Sequence, residues 1–331
     1  MFDKQRIKIG LFDPSLGNNA GSESPNLGDL IINEAIIREI YSIFPRANLL
    51  RLSTHEPLLR QHIKELRDCS LVFVGGSNLL CSNMYRNKLW KISLAEAMQI
   101  RKVILFGVGW WQYEKMPNLY TRLLLKIILA GGFVHSLRDN YTKERLSKLG
   151  FKNVINTGCP TMWPLARINF EEIPKKKADN ALLMLTDYNQ APEVDKAIAK
   201  LLLKNYNKVF FWPQGRNDKS YLSILDLPLI VLDHSLQALN EILSSDISID
   251  YVGTRLHGGI KCLIARKRSL ILNIDNRAKE IARDSGLMTI ERGNIEFVDH
   301  WINSSSNLRI KIDINSIEKW KSQFKGLTIS S

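Results

Sequence analysis

The feature that most constrains the fold of this chain is a repeated alternation of two kinds of segment. Runs of five to seven apolar residues, rich in Val, Ile and Phe, alternate with amphipathic segments of ten to sixteen residues. Short apolar runs fit strands that are buried on both faces, and the longer segments fit helices that cover them. The alternation therefore predicts an α/β protein built on parallel sheets.

One segment of the 331-residue chain interrupts this alternation of strands and helices. A chain of that length exceeds a usual single core, so we expect two domains. The interruption is Ile173–Asn180, a charged segment without periodicity, which we interpret as a linker. We predict two Rossmann-like domains facing each other across a cleft, over residues 1–172 and 180–331. The segment Ile314–Phe324 is predicted to be a terminal helix that can pack back on the first domain.

Composition narrows the class of protein. The chain is 45% hydrophobic and 24% charged, as soluble globular proteins are. Its apolar runs stay short of the roughly 18 residues of a membrane span, and its first residues show no signal-peptide pattern. The four cysteines are scattered without metal-ligand or redox spacing, so we expect free thiols in a reducing cytosol. These features predict a cytoplasmic protein.

The charge is strongly positive. Of the net +13, residues 1–165 carry +9, with 22 Lys and Arg against 13 Asp and Glu. Such an excess favours phosphorylated substrates, an anionic membrane surface or nucleic acid. Nucleic acid is the least favoured, because no recognised binding module is present and the basic residues are spread out. Peripheral contact with anionic lipid at the inner face of the cell membrane stays open.

The most informative motif is Asp250-Tyr-Val-Gly-Thr-Arg-Leu-His-Gly-Gly259. A predicted strand ends there at a glycine turn, and a helix begins just beyond it. Open α/β sheets bind ligands at such a place, outside the carboxyl ends of the strands and beside a helix N-terminus. A fixed cation two residues from an imidazole suggests an anionic substrate and a proton to move, although each alone fits a surface Arg or a core His. The candidate residues are Gly253, Thr254, Arg255, His257 and Gly258.

Other candidates lie in loops that follow predicted strands. Asn26-Leu-Gly28-Asp29 opens a long helix with Asp29 as the expected N-cap, and its glycine allows a ligand close to the backbone. A capping turn alone explains the same residues. The loop Gly75-Gly76-Ser77-Asn78 can form a nest of amides for an anion, although a lone glycine pair is weak support.

Aromatic and polar residues complete the set. Trp110 and Trp111 follow a glycine turn, where flat rings can stack on a sugar or simply pack inside. Arg138 follows an apolar strand, so its guanidinium can hold a phosphate or carboxylate, or pair with its neighbour Asp139. His135, in that strand, is a further candidate for contact with the substrate. Gln214 ends another strand, where it can bind a polar ligand or hold the turn.

Taken in order, these motifs resemble the polysaccharide pyruvyl transferase family. The resemblance covers nearly the whole chain, through Asn26-Leu-Gly-Asp29, Gly75-Gly76, Gly107-Val-Gly109, Leu137-Arg-Asp139, Thr157-Gly-Cys-Pro160, Pro213-Gln-Gly215, Gly253-Thr-Arg-Leu-His257 and Ile274-Asp-Asn-Arg-Ala-Lys279. The family often has a lysine after the strand that ends here at Ile274. Either Arg277 or Lys279 can fill that place.

The resemblance implies a GT-B-like arrangement, with phosphoenolpyruvate as the donor. It implies a sugar acceptor, often a lipid-linked oligosaccharide that becomes exopolysaccharide, capsule or cell wall, and a product that carries a cyclic pyruvate ketal. It also places Arg138 and His257 at the donor site with Arg255 close by. From the chemistry of these residue types we expect His257 to be the general acid–base and the arginines to stabilise phosphate, with no metal and no cofactor beyond the co-substrate.

Two other functions compete with this one. A nucleotide-sugar glycosyltransferase on the same GT-B architecture would use similar cations for a diphosphate. A saccharide-binding protein of polysaccharide assembly would keep the fold without catalysis. Turnover of phosphoenolpyruvate separates the first from a pyruvyl transferase, and the need for His257 separates the second.

Overall fold

The structure of the protein is a computed structural model that describes residues 7–325 and 327. Residues 1–6, where the sequence shows no signal-peptide pattern, lie outside the described residues. The strands are β1 (Lys8–Asp13), β2 (Asn48–Ser53), β3 (Leu71–Gly75), β4 (Val103–Phe106), β5 (His135–Leu137), β6 (Val154–Asn156), β7 (Asn180–Met184), β8 (Lys208–Phe211), β9 (Ile230–Val231), β10 (Ile249–Gly253), β11 (Ser269–Asn273) and β12 (Thr289–Glu291).

Helices connect most of these strands, as the sequence predicts. They are α1 (Leu27–Ile43), α2 (Arg60–Arg67), α3 (Met84–Asn87), α4 (Leu94–Ile100), α5 (Leu119–Ile128), α6 (Asn140–Lys148), α7 (Pro192–Asn205), α8 (Asp218–Leu225), α9 (Leu236–Ser244), α10 (Leu256–Ile264), α11 (Asn276–Ser285), α12 (Ile295–Asn303) and α13 (Ile314–Ser322). Two 3₁₀ helices, Pro160–Arg167 and Phe170–Glu172, lie between β6 and β7.

The chain divides into two compact units. The described residues of the first unit lie within Met1–Ser24, Ile32–Trp163 and Asp313–Ser331, and the second unit comprises Pro25–Ile31 and Pro164–Ile312. The segment expected to be a linker, Ile173–Asn180, therefore lies inside the second unit, and the first residues of α1 belong to the second unit as well.

The first unit is built on a parallel sheet with the strand order β2-β1-β3-β4. All five residues of β3 are buried, which agrees with the apolar sequence Leu-Val-Phe-Val-Gly. The pair β5-β6 lies next to β4, because the Gly107 amide donates to the Ser136 carbonyl (2.9 Å) and the Arg138 amide donates to the Val108 carbonyl (3.1 Å). From β1, the chain adds β2 on one side of the sheet and then β3 and β4 on the other, so the topological switch point lies between β1 and β3.

The second unit is built on a parallel sheet with the order β12-β11-β10-β7-β8-β9. Counted from β7, this is the 3-2-1-4-5-6 order of the Rossmann fold. From β7, the chain adds β8 and β9 on one side of the sheet and then β10, β11 and β12 on the other. The loops after β7 and β10 therefore flank the topological switch point. Both β10 and β11 are buried along their whole length. The predicted α/β class with two Rossmann-like units is confirmed.

The sequence pattern predicts strands at Gly132–Leu137 and Leu229–Asp233, and each is three residues shorter in the structure. The segment Gly132–Leu137 forms a strand only from His135, after a turn that holds two adjacent glycines. The segment Leu229–Asp233 forms only Ile230–Val231, because this strand lies at the sheet edge, with its two residues 44% and 40% exposed.

The last helix, α13, packs inside the first unit. Trp320 is fully buried, and its ring centroid lies 4.4 Å from that of Phe106. The Gln323 side chain accepts from the Val134 amide (2.8 Å) and donates to the Val134 carbonyl (3.0 Å). Residues at the far end of the described chain thus complete the core around β4.

Candidate active site

The turn between β10 and α10 lies at the switch point of the second unit. The Thr254 amide donates to the Met184 carbonyl at the end of β7 (2.8 Å). A Cβ on Gly253 would lie 2.3 Å from that carbonyl oxygen, so only glycine allows the two strands to approach here. The loops after β7 and β10 are therefore held together at the carboxyl edge of the sheet.

Helix α10 begins at this turn without a side-chain cap. Arg255 occupies the N-cap position in an extended conformation, and its side chain makes no capping hydrogen bond. Uncapped amides and the helix dipole favour a negatively charged group. His257 is the second residue of α10 and is 5% exposed. The turn thus combines a helix N-terminus at the switch point with an imidazole in the first turn of that helix.

The Arg255 guanidinium is buried and already matched by carboxylates. Its Nε donates to Asp218 Oδ2 (3.0 Å), and its Nη2 contacts the carboxylates of Asp218 and Asp187 (3.2 Å for Asp187 Oδ1). The side chain of Arg255 is 4% exposed. This arrangement does not support the predicted direct binding of a substrate anion by Arg255, because two carboxylates balance its charge. Arg255 instead fixes the turn that carries His257.

Asp218, the first residue of α8, organises three loops at once. Its carboxylate accepts from the amides of Gln214 (3.0 Å), Gly215 (2.7 Å) and Asp187 (3.1 Å), in addition to Arg255. It is fully buried. The loops after β7, β8 and β10 therefore share one buried carboxylate. Sequence reasoning missed Asp218, although an acidic residue three positions after a Gln-Gly turn, at the start of a helix, was a usable signal.

The start of α1 joins the same edge of the second unit. Asn26 Oδ1 accepts from the Gly28 amide (3.1 Å) and from Gln214 Nε2 (3.1 Å), and Asn26 Nδ2 donates to Asp29 Oδ2 (3.2 Å). The helix is thus capped by Asn26, and the prediction that Asp29 is the N-cap is wrong. A Cβ on Gly28 would lie 2.6 Å from Gln214 Nε2, so glycine is needed for this contact.

These contacts fix the orientation of the Gln214 amide. Its Nε2 must face Asn26 Oδ1, which leaves Oε1 as an acceptor. Gln214 is 4% exposed, and Oε1 has no hydrogen-bond partner within the part of the chain that the structure describes. A Cβ on Gly258 would lie 3.3 Å from this oxygen, so Gln214 borders the first turn of α10.

The aromatic side chain of Tyr188 connects Arg255 to the basic segment that precedes α11. Its ring centroid lies 5.2 Å from Arg255 Cζ and 5.8 Å from Arg277 Cζ, and its hydroxyl accepts from Arg277 Nη2. Arg277 also pairs with Asp275 (2.6 Å), whereas Lys279 pairs with Glu291 (3.0 Å). Of the two candidates for the basic position, Arg277 therefore lies beside the Arg255 turn.

In the first unit, Arg138 lies against the backbone of a glycine turn. A Cβ on Gly109 would lie 2.2 Å from Arg138 Nη2, so this glycine makes room for the guanidinium. Arg138 pairs with Asp139, its Nη2 lying 3.0 Å from Oδ2, and Asp139 Oδ1 accepts from the Thr142 amide (2.8 Å) at the start of α6. Arg138 is 2% exposed, and its Nη1 has no hydrogen-bond partner among the described residues.

Trp110 lies in the core and not on a binding surface. It is fully buried, its Nε1 donates to Glu114 Oε2 (2.8 Å), and Arg145 Cζ covers its ring at 4.8 Å. This burial does not support the predicted sugar contact, because no face of the ring is open. Trp111 is partly buried and packs against the same hydrophobic core.

The glycine pair at the end of β3 pairs with β4 and allows helix α1 to pack closely against the backbone. The Gly76 amide donates to the Phe106 carbonyl (2.7 Å), and a Cβ on Gly76 would lie 2.2 Å from Ile32 Cγ2. The predicted nest of amides at Gly75 and Gly76 is therefore not supported. Asn78, which follows them, has a buried Oδ1 with no hydrogen-bond partner among the residues that the structure describes.

His135 lies at the amino end of β5 and not at the carboxyl edge of the sheet. It is 2% exposed, and its Nδ1 accepts from the Leu105 amide (3.2 Å). Burial lowers the pKa of His135 from 6.5 to about 4, so the ring is neutral in the folded protein. The predicted substrate contact is not supported for this residue, which holds β5 against β4.

The neutral His135 makes the protein sensitive to acid. Because its folded pKa is depressed, the unfolded state binds the extra proton, and stability is lost as the pH falls through 6.5 towards 4. We expect His135 to account for a loss of about 2 kcal/mol between pH 7 and pH 5. Replacing His135 by Asn keeps an acceptor for Leu105 and should remove this loss. Urea unfolding at the two pH values measures it, and an equal loss in both proteins would contradict the assignment.

Comparison with known proteins places these residues in a family. A family model described as polysaccharide pyruvyl transferase matches residues 26–276, which cover the Asn26 cap, Arg138, Gln214 and the His257 turn. The chain belongs to this family. The match includes the start of α11 but ends at Asn276, one residue before Arg277. A search of curated protein sequences gave no match.

Two solved structures have folds similar to that of this chain. The Staphylococcus aureus structure titled "MnaA-UDP co-structure" has a TM-score of 0.53 and 11% identity, over 99% of this chain and 98% of that one. A putative UDP-N-acetylglucosamine 2-epimerase from Listeria monocytogenes has a TM-score of 0.50 and 10% identity, over 99% and 98%. At this identity the likeness shows the fold alone, and it confirms that this pyruvyl transferase family member is GT-B-like.

Three further features bear on the site. The four cysteines are buried free thiols, as predicted. Among residues 7–325 and 327, no group of three or more His, Cys, Asp or Glu side chains is placed to hold a metal ion. None of the helices described here is both long and apolar enough to span a bilayer.

Proposed function

We propose that this chain transfers pyruvate from phosphoenolpyruvate to two hydroxyl groups of a sugar as a cyclic ketal. The observation that carries the proposal is the N-terminus of α10 at the switch point, where the N-cap residue Arg255 makes no capping bond and His257 lies in the first turn. Family membership supports pyruvyl transfer in general. The phosphoenolpyruvate donor, the ketal product and the acceptor, a sugar of an exopolysaccharide, capsule or cell-wall precursor, are what the family resemblance implies, and we propose them on that ground.

A negatively charged group of the donor binds the first amides of α10. Phosphoenolpyruvate carries a carboxylate and a phosphate, and either group suits the N-terminus of a helix. The family resemblance also implies a donor-site role for Arg138 of the first unit. Its Nη1 has no hydrogen-bond partner among the described residues, while its Nε and Nη2 donate to Asp139. Arg255 and Asp218 act as positioning residues that hold the turn. Gln214 Oε1 can accept a hydrogen bond from a substrate hydroxyl if the side chains that bury this oxygen move aside.

His257 moves the protons of the reaction. It donates a proton to the methylene carbon of phosphoenolpyruvate, which becomes a methyl group and leaves oxocarbenium character on the neighbouring carbon. A sugar hydroxyl attacks that carbon and loses its proton. Phosphate then leaves with the electrons of its carbon–oxygen bond, and a second hydroxyl attacks, loses its proton and closes the ring. The imidazole is suited to give and recover a proton near neutral pH.

The sugar acceptor and the place of reaction follow from the family resemblance and the charge. We propose a lipid-linked oligosaccharide at the cytoplasmic face of the membrane as the natural acceptor. The composition of the loops does not select a sugar, so the test uses a panel. Purified protein is incubated with phosphoenolpyruvate and with aryl or lipid-linked glycosides, and ketal and released phosphate are measured together.

We expect one phosphate for each ketal formed, detected by mass spectrometry. Transfer of sugar from a nucleotide sugar, without turnover of phosphoenolpyruvate, would instead identify a glycosyltransferase. Unchanged function in cells after His257→Ala substitution would identify a non-catalytic saccharide-binding protein.

A further inference from the structure

The outer surface of helix α5 is unusual for a helix that faces water. Its inner face is buried through Thr121, Leu124, Leu125 and Ile128. Its outer face should then be polar throughout. Two of its exposed residues instead carry large apolar side chains: Leu119 is 80% exposed and Leu123 is 45% exposed. The outer face, which we call the α5 face, consists of Leu119, Arg122, Leu123 and Lys126.

The exposed apolar surface extends beyond α5 within the first unit. Met116 in the preceding loop is 40% exposed, and Tyr85 on α3 is 68% exposed. The Tyr85 ring lies 5.4 Å from that of Tyr120 on α5, so the two helices present one surface. Of the fourteen large apolar side chains that are most exposed among the described residues, six lie between Tyr85 and Leu123. The exposed apolar residues are therefore concentrated in this part of the sequence.

Cations surround this apolar surface. Residues 82–128 contain eight Lys and Arg but only two Glu, a net charge of +6. Both carboxylates have partners, since Glu96 caps α4 and Glu114 accepts from Trp110 and Ser82. Arg122 donates to the Pro117 carbonyl (2.8 Å), which leaves its charge unbalanced. Within the described chain, no ion pair involves the exposed cations Arg86, Lys115, Arg122 and Lys126.

We infer that the α5 face, with Tyr85 and Met116, docks on an anionic lipid bilayer. Apolar side chains beside Lys and Arg are the pattern of interfacial helices, which insert their apolar groups at the level of the head groups while the cations bind anionic lipid. Self-association fits the surface less well, because two copies would bring like charges together. The inference does not rest on the proposed function, because lipid binding is measured without substrate.

Vesicle sedimentation tests the inference on the full chain. The vesicles contain phosphatidylcholine alone or with phosphatidylglycerol. We expect binding only to the anionic vesicles, with an affinity that falls as salt rises. The variant Arg122→Gln/Lys126→Gln should lower the partition coefficient roughly 30-fold, from about fivefold for each cation. The variant Leu119→Ser/Leu123→Ser should lower it by at least about tenfold.

Matched changes on the second unit serve as controls. Lys200→Gln/Lys204→Gln removes two exposed cations at the same spacing on α7, and Ile224→Ser removes an exposed apolar side chain that is 64% exposed on α8. Both should bind like the wild type. Pyruvyl transfer to a soluble aryl glycoside should be unchanged in the α5-face variants, so failure of lipid binding and failure of the proposed activity are distinguishable.

Three results would overturn the inference. One is equal binding to neutral and anionic vesicles, and another is binding that the α5-face variants do not change. The third is absence of binding to any of the vesicles. This result counts against the inference both for a monomer and for a dimer that the Leu119→Ser/Leu123→Ser variant dissociates. The dimer would assign the surface to a second copy of the chain.

Discussion

Replacing His257 by Gln is expected to lower the rate of ketal formation by about 10²–10⁴-fold, because the methylene carbon of the donor loses its positioned proton source. Binding of phosphoenolpyruvate should change much less, since the amides of α10 remain. Steady-state kinetics should therefore show a fall in kcat with KM nearly constant. The pH profile of the residual activity should also lose the limb that reports the imidazole.

A control separates this effect from general damage. His300 is exposed on α12 in the same unit, and His300→Gln should retain wild-type kinetics. A fall in kcat/KM carried entirely by KM would contradict the acid–base role and would make His257 a binding residue. Full activity of the His257→Gln variant would remove His257 from the mechanism.

Replacing Asp218 by Ala is expected to give the largest loss of stability. The Arg255 guanidinium stays buried, with only Asp187 left as a carboxylate partner, and the Gln214 and Gly215 amides lose their acceptor. Removing one partner of a buried ion pair costs about 3–5 kcal/mol of unfolding free energy. Activity should fall as well, because the loops after β7, β8 and β10 lose their shared carboxylate. Urea unfolding and the transfer assay measure the two effects.

A double-mutant cycle with Arg255→Met tests the cause. If the loss comes from the unpaired guanidinium, the double variant should be more stable than the sum of the single losses predicts, by about 1–3 kcal/mol. Asp233→Ala, at an exposed position of the same unit, should stay within about 0.5 kcal/mol of the wild type. Additive losses would show that Asp218 and Arg255 stabilise the protein independently.

The sheets could be predicted from sequence because buried strands repeat a simple pattern. The sequence pattern predicts strands at Lys8–Asp13, Asn48–Ser53 and Val154–Asn156, and β1, β2 and β6 begin and end at those residues. The Gly253 turn marks the end of β10 in the sequence itself. The pairing of Arg255 could not be predicted in the same way. Its partners Asp218 and Asp187 are 37 and 68 residues away, on loops that only the sheet order brings together.

Two candidates for ligand contact are buried in the core for a common physical reason. Trp110 and His135 are both close in sequence to strand ends, and position along a strand alone does not tell which side chains turn inwards. Trp110 turns inwards because Glu114 and Arg145 supply partners for its indole. His135 lies at the amino end of β5, because the strand begins three residues later than its apolar run suggests. Such partners follow from tertiary packing and not from local pattern.

The central claim is that this chain protonates the methylene carbon of phosphoenolpyruvate and joins the neighbouring carbon to a sugar. The most direct measurement is transfer in heavy water, with the ketal methyl group observed by NMR and mass spectrometry. The account predicts a methyl group that carries a single deuterium, formed together with one phosphate. A sugar product without pyruvate, or release of phosphate without any ketal, would contradict it.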